Sequence, residues 1–88
     1  MPPPRVMLYT KPGCHLCESV EQVIADVARK HPLELVVRNI LDDPADFERY
    51  QHEIPVVCVN GREVARYRMD AAELIAALAA VASRGMAE

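Results

Sequence analysis

The chain has no long apolar run, no excess of positive charge and few cysteines, and each shortage removes a class of function. The longest apolar stretch, Leu74–Ala82, is too short to cross a bilayer. Met1-Pro2-Pro3-Pro4-Arg5 lacks the apolar core of a signal peptide, so no membrane is expected and the cytoplasm is the expected compartment. A net charge of -3 offers no basic surface for nucleic acid, and none is expected as a partner. Three cysteines are too few for a disulfide-stapled scaffold; in a reducing compartment a lone Cys-x-x-Cys reads as redox chemistry or metal binding. Repeats and linkers are also missing. What remains is a chain of 88 residues, 51% of them hydrophobic, which suffices for one modest core. The expectation is a single domain over 1–88, monomeric, with mobile ends near 1–4 and 84–88.

Chemistry concentrates in Leu8-Tyr9-Thr10-Lys11-Pro12-Gly13-Cys14-His15-Leu16-Cys17, where an apolar run gives way to a helical pattern. A cysteine at the first turn of a helix faces unpaired backbone N–H groups and the positive end of the helix dipole. Both favour the thiolate, which is the nucleophile, and a second cysteine one turn on can close a disulfide.

Around this segment the patterns alternate. Val6–Thr10 is a short, nearly continuous apolar run, as expected of a central strand. Leu16, Val20, Val23, Ile24 and Val27 share one helical face, Arg29 and Lys30 suit the negative end, and His31-Pro32 stops the helix. Leu33–Ile40 is rich in branched residues and reads as a second strand, parallel to the first if the helix is a crossover. Asp43-Pro44 starts a short helix through about His52, with Phe47 and Tyr50 facing inward. Val56–Val59 and Glu63–Tyr67 flank Asn60-Gly61, the dipeptide suited to a type I′ hairpin turn. Asp70 followed by Glu73 forms a capping-box pattern before the apolar stripe Leu74, Ile75, Leu78 and Val81, with Gly85 beyond the helix end. The order is βαβαββα, an α/β class.

The combination of Leu-Tyr-Thr-Lys-Pro-x-Cys-x-x-Cys after the first strand, Ile54-Pro55-Val56-Val57 before a hairpin, and Asn60-Gly61 at its turn resembles the glutaredoxin-like branch of the thioredoxin superfamily. The likeness runs from about Val6 to Val81. It implies a thioredoxin-like fold, a four-stranded mixed sheet flanked by three helices, and a cis Ile54-Pro55 bond. An X-Pro bond has lost most of its trans preference, so a fold holds it cis at modest cost; read from the residues alone, a trans proline opening a strand is the alternative.

The resemblance further implies thiol–disulfide exchange. Cys14 would be the nucleophile and Cys17 the resolving thiol, acting on protein or small-molecule disulfides. Lys11 would contact the substrate, as a glutaredoxin lysine contacts glutathione, and the Ile54 backbone beside Pro55 would pair with an extended substrate segment. Glutathione is a candidate co-substrate, and glutathione or a thioredoxin-type reductase a candidate reductant; no resident cofactor is expected. His15 is either a thiolate-stabilising imidazole or a solvated residue, and Glu18 would oppose a thiolate near it. Two features depart from the family. Cys14-His15-Leu16-Cys17 replaces the more usual Pro-Tyr between the cysteines, and Val64–Asp70 lacks the Gly-Gly that in dithiol glutaredoxins precedes the last helix. Neither a Trp before the pair nor a Gly-Pro within it is present, which argues against an ordinary thioredoxin.

Two other kinds of function stay open at this level. A thiol-ligated zinc or iron–sulfur carrier would use Cys14, Cys17 and Cys58 with His15, His31 or His52, although Cys58 stands alone and reads as a small buried apolar residue. A non-catalytic thioredoxin-fold interaction module would leave the cysteines unreactive. Haem attachment is disfavoured because Glu18, not His, follows Cys17.

Overall fold

Side chains along a strand point alternately to its two faces, and the first strand buries both. In the computed structural model, which describes residues 2–87 with side chains as far as residue 82, β1 (Arg5–Thr10) sends Val6 and Leu8 to one core and Met7 and Tyr9 to another. Such a strand belongs inside a sheet. The sheet order is β2-β1-β3-β4, with β2 (Glu34–Asn39) parallel to β1, and β3 (Val56–Val59) and β4 (Arg62–Arg66) added antiparallel. Three helices complete the expected βαβαββα order: α1 (His15–Ala28), α2 (Pro44–Tyr50) and α3 (Ala71–Ala87). Of the ends expected to be mobile, Met1 and Glu88 lie outside the described residues.

The larger core lies under α1 and α3. Val20, Ile24 and Val27 from α1, and Leu74 and Leu78 from α3, meet Val6, Leu8, Val57 and Val59 of the sheet. The smaller core lies under α2, where Ile40, Tyr50, Val56 and Cys58 gather with Met7, Tyr9 and Ile54. Burial of a branched aliphatic side chain is worth about 1.5–3 kcal/mol, so the first cluster carries most of the stability.

Local chemistry explains the ends of the elements. The Asp43 carboxylate accepts the Ala45 N–H at 2.8 Å, with Pro44 just inside the helix. Asp70 and Glu73 form the reciprocal capping box: Glu73 N–H donates to Asp70 at 2.8 Å, and Asp70 N–H to Glu73 at 3.2 Å. Asn60 and Gly61 both have positive φ, 49° and 85°, as a type I′ turn requires.

Several expectations shift. β2 starts at Glu34, and Ile40 turns out of the strand into a 3₁₀ turn, Ile40–Asp42, whose first donor is captured by the Asn39 side chain. α2 ends at Tyr50, not His52. Phe47 is exposed because this one short helix presents a single aromatic to the sheet, and Tyr50 takes that place by stacking on Tyr9 at 4.3 Å between centroids. Leu16 has the spacing of the α1 stripe but sits in the first turn beside the exposed loop 11–13, and remains 49% exposed. Ile75 lies at the margin of the α3 stripe and is also exposed, while Leu74 fills the inward position. The α3 backbone stays helical through Gly85, since one glycine costs a helix only about 1 kcal/mol.

β4 contains the one irregularity that matters for the site. Cys58 pairs with Glu63 and Val57 with Ala65, so Val64 is an extra residue opposite the Val57–Cys58 step. Val64 and Ala65 therefore both pack on the larger core. A bulge of this kind re-aims the strand that follows it.

Candidate redox site

Two chain reversals meet at one end of the sheet. β1 ends at Thr10 and β3 begins at Val56, and because Tyr9 is the register partner of Val56, the Lys11–Cys14 loop leaves the sheet where the Ile54-Pro55 segment enters it. The Ile54-Pro55 bond is cis. Gly13 has φ 80°, a conformation that costs glycine nothing, and with it the loop turns directly into α1.

Cys14 is the N-cap of α1. Its Sγ accepts the Cys17 N–H at 3.2 Å, taking the place of the side-chain oxygen that normally caps a helix. Cys14 and Cys17 are joined by a disulfide, with their Cα atoms 5.2 Å apart. The two sulfurs have different surroundings. Cys14 is half-buried, whereas Cys17 is 1% exposed on the inner face of α1. This asymmetry follows from position: the cap lies at the end of the helix, and the residue one turn on faces the sheet.

Lys11, Cys14, Glu18 and Glu21 line a shallow depression of about 260 Å³, together with Thr10 and Asn39. That is at the small end for a ligand site and suits a side chain or a fragment of a small thiol. Lys11 is exposed and takes no carboxylate partner among the described residues. Glu18 and Glu21 were not expected here as lining groups; their i,i+3 spacing on a helix that starts at the cysteines is the signal that would have found them. His15 is 94% exposed at its side chain, with Nδ1 3.6 Å from Glu18, so it stands in solvent beside a carboxylate.

The proline segment does not line the depression. Pro55 is fully buried, and Ile54 is half-buried with its side chain on the smaller core. Pro55 C=O accepts the Tyr67 N–H at 2.8 Å. Among the described residues the Ile54 N–H and C=O take no backbone partner. Next to this segment, Arg66 binds Glu63 at 2.6 Å and Glu53 at 3.4 Å, and the Glu63 bond is the main reason its guanidinium titrates above the ordinary arginine value. Arg66 is therefore occupied within the protein.

Cys58 lies elsewhere. It is a free thiol, 7% exposed, in β3 among Ile40, Tyr50 and Val56, and burial pushes its pKa up. Among the described residues, no three His, Cys, Asp or Glu side chains gather as a metal-binding group, and no helix is long and apolar enough to cross a membrane.

Solved structures resemble this one closely. Protein Ne2328 from Nitrosomonas europaea is 28% identical over 89% of this chain and 94% of its own, with a TM-score of 0.77. Target protein XcR50 from X. campestris is 34% identical, covering 85% of this chain and 96% of that one, with a TM-score of 0.67. Thioredoxin 1 from Thermosipho africanus shares the fold at 14% identity, with a TM-score of 0.65 over 92% of this chain and 97% of that one. The model of the glutaredoxin-like domain family (DUF836) matches residues 5–79. Because that match runs from β1 into α3 and so takes in the whole sheet, the chain belongs to the glutaredoxin-like domain family.

Proposed function

We propose that the protein is a thiol–disulfide oxidoreductase that exchanges electrons with protein or small-molecule disulfides through Cys14 and Cys17. The observation that carries this reading is the unequal exposure of the pair: one sulfur sits at an accessible helix cap, and the other is 1% exposed one turn behind it. In the reduced protein the Cys14 thiolate attacks one sulfur of the substrate disulfide, forming a mixed disulfide and releasing the other sulfur as a thiolate, which takes up a proton. The Cys17 thiol, having lost its proton, then attacks Cys14 Sγ. The Cys14–Cys17 bond forms and the second substrate sulfur leaves. Two electrons have passed from the dithiol to the substrate.

Residues around the pair orient this chemistry. Lys11, on the wall of the depression, meets an anionic group of the substrate. The free backbone groups of Ile54, held next to the buried Pro55, pair with an extended segment around the substrate disulfide, as in the resembling family. Glutathione or a thioredoxin-type reductase returns the pair to the dithiol. The protein acts as a monomer in the cytoplasm, where thiols are kept reduced.

An equilibrium titration against reduced and oxidised glutathione, read by alkylation and intact mass, tests the reading. Reversible pairing of Cys14 with Cys17 while Cys58 stays free is the expected result. Cys14→Ser should abolish exchange, and Cys17→Ser should accumulate a mixed disulfide. Full turnover by Cys14→Ser would overturn the assignment.

A further inference from the structure

Tyr67 is the residue after β4, and its backbone has φ 70°. That conformation favours glycine; a tyrosine there is strained, and strain of this kind persists where surrounding contacts hold it. Two hydrogen bonds hold it. Tyr67 N–H donates to Pro55 C=O at 2.8 Å, and its hydroxyl donates to His52 C=O at 3.2 Å. The preceding residue, Arg66, holds Glu53 at 3.4 Å. Residues 52, 53 and 55 are thus all tied to the end of β4, while Ile54 between them keeps its N–H and C=O without backbone partners. The bulge at Val64 makes this geometry, because it re-aims Arg66 and Tyr67 as the strand ends.

From this arrangement we infer that Tyr67 is a positioning residue for peptide disulfides: it braces the 52–55 segment from both sides so that the Ile54 backbone is presented, preorganised, to an extended substrate. The inference rests on the oxidoreductase reading and sharpens its substrate class. A substrate with backbone on either side of its disulfide gains from the brace, whereas a small disulfide with no peptide backbone does not. Preorganisation lowers the ordering cost of binding, so its loss acts on half-saturation more than on the limiting rate.

The test compares prereduced wild-type protein with Tyr67→Phe and Tyr67→Gly in single-turnover reactions, in which the protein's own dithiol supplies both electrons. The two oxidants are a short unstructured peptide closed by one disulfide, and 5,5′-dithiobis(2-nitrobenzoate). Tyr67→Phe removes only the hydroxyl bond to His52. Tyr67→Gly removes the whole side chain, relieves the backbone strain and keeps the N–H to Pro55. For the peptide, half-saturation should rise about two- to tenfold in both variants, the range for losing one ordinary hydrogen bond, with a smaller change in the limiting rate. The small-disulfide rate, divided by the peptide's limiting rate over half-saturation, should rise by about the same factor. Equal losses on both oxidants would mean that Tyr67 acts on Cys14 itself and would overturn the inference, as would peptide kinetics identical to wild type in both variants. Wild-type protein that reduces neither oxidant would overturn the oxidoreductase reading, and this one with it; wild-type turnover of both, with an unmoved ratio in the variants, would overturn this one alone.

Discussion

The Cys17 N–H can be removed without touching the Cys14 sulfur it faces. Proline at position 17 lacks the donor and lies in the first turn of α1, where proline is tolerated, whereas serine there keeps the donor and removes only the resolving thiol. Both variants are made on a Cys58→Ala background, so that alkylation reports Cys14 alone. In the disulfide form the N–H lies 3.2 Å from its acceptor sulfur, and reduction breaks the Cys14–Cys17 bond while leaving in place the helix start that supplies the N–H. A hydrogen bond to a charged acceptor contributes about 1.5–3 kcal/mol, so its loss lowers the thiolate population of Cys14 about ten- to hundredfold at a pH well below thiol titration. The surviving thiolate is more basic and more nucleophilic, which recovers about half of that factor on a logarithmic scale. The net expectation is iodoacetamide alkylation about three- to tenfold slower in Cys17→Pro than in Cys17→Ser near pH 6. Because the residue before a proline is pushed out of the helical region, thermal melts and far-ultraviolet circular dichroism must first show that the two variants keep the same fold. Equal rates in two folded variants would refute the cap as the source of Cys14 reactivity.

Stability should depend on pH in the alkaline range. Burial raises the Cys58 thiol and the Tyr50 phenol above their ordinary values, with Glu63 adding to the first and Tyr9 to the second. The folded protein then keeps protons that the unfolded chain gives up, so stability is whole below about pH 8.5 and falls as pH rises through the thiol and phenol ranges. Thermal melts of the oxidised protein should show Tm falling from pH 8 to 11, less steeply in Cys58→Ala; identical slopes would remove Cys58 as a cause. Asp70→Ala removes the acceptor of the Glu73 N–H while leaving the backbone N–H of residue 70 to Glu73, and should cost about 1 kcal/mol, or roughly 4–8 °C in Tm; an unmoved Tm would show that the Asp70 cap adds nothing to the packing of α3. Lys11→Ala should raise half-saturation for a carboxylate-bearing disulfide by up to about fivefold at low salt, an effect that fades at 1 M salt, where the screening length is about 3 Å. A salt-independent loss would assign Lys11 a role in loop structure instead.

Within the sequence, information was strongest where structure is local. A strand buried on both faces is recognised by its continuous apolar run, and Val6–Thr10 lies inside the sheet; a helix is recognised by its stripe and caps, and Asp43, Asp70 and Glu73 each bind the backbone groups that their spacing predicts. Asn60 and Gly61 adopt positive φ because few other residues do so at small cost. Cys14 as cap and Cys17 one turn inward also follow from spacing, since neighbouring positions on a helix differ in direction by a fixed angle.

Only tertiary structure decided the remainder. Leu16 and Phe47 have inward spacing yet stand in solvent, because burial needs an opposing surface, and the sheet offers one to Val20 and Tyr50 instead. The extra residue at Val64 has no local signature; it depends on the pairing of β3 with β4. Its consequence, the contacts of Arg66 and Tyr67 with Glu53, His52 and Pro55, joins residues 12 to 15 positions apart through a hairpin. A chain can state in one short segment which residues will form a helix and cap it. Which backbone groups stay unpaired, and which side chains hold them ready, depends on where distant segments meet, and that is settled only when the sheet closes on its cores.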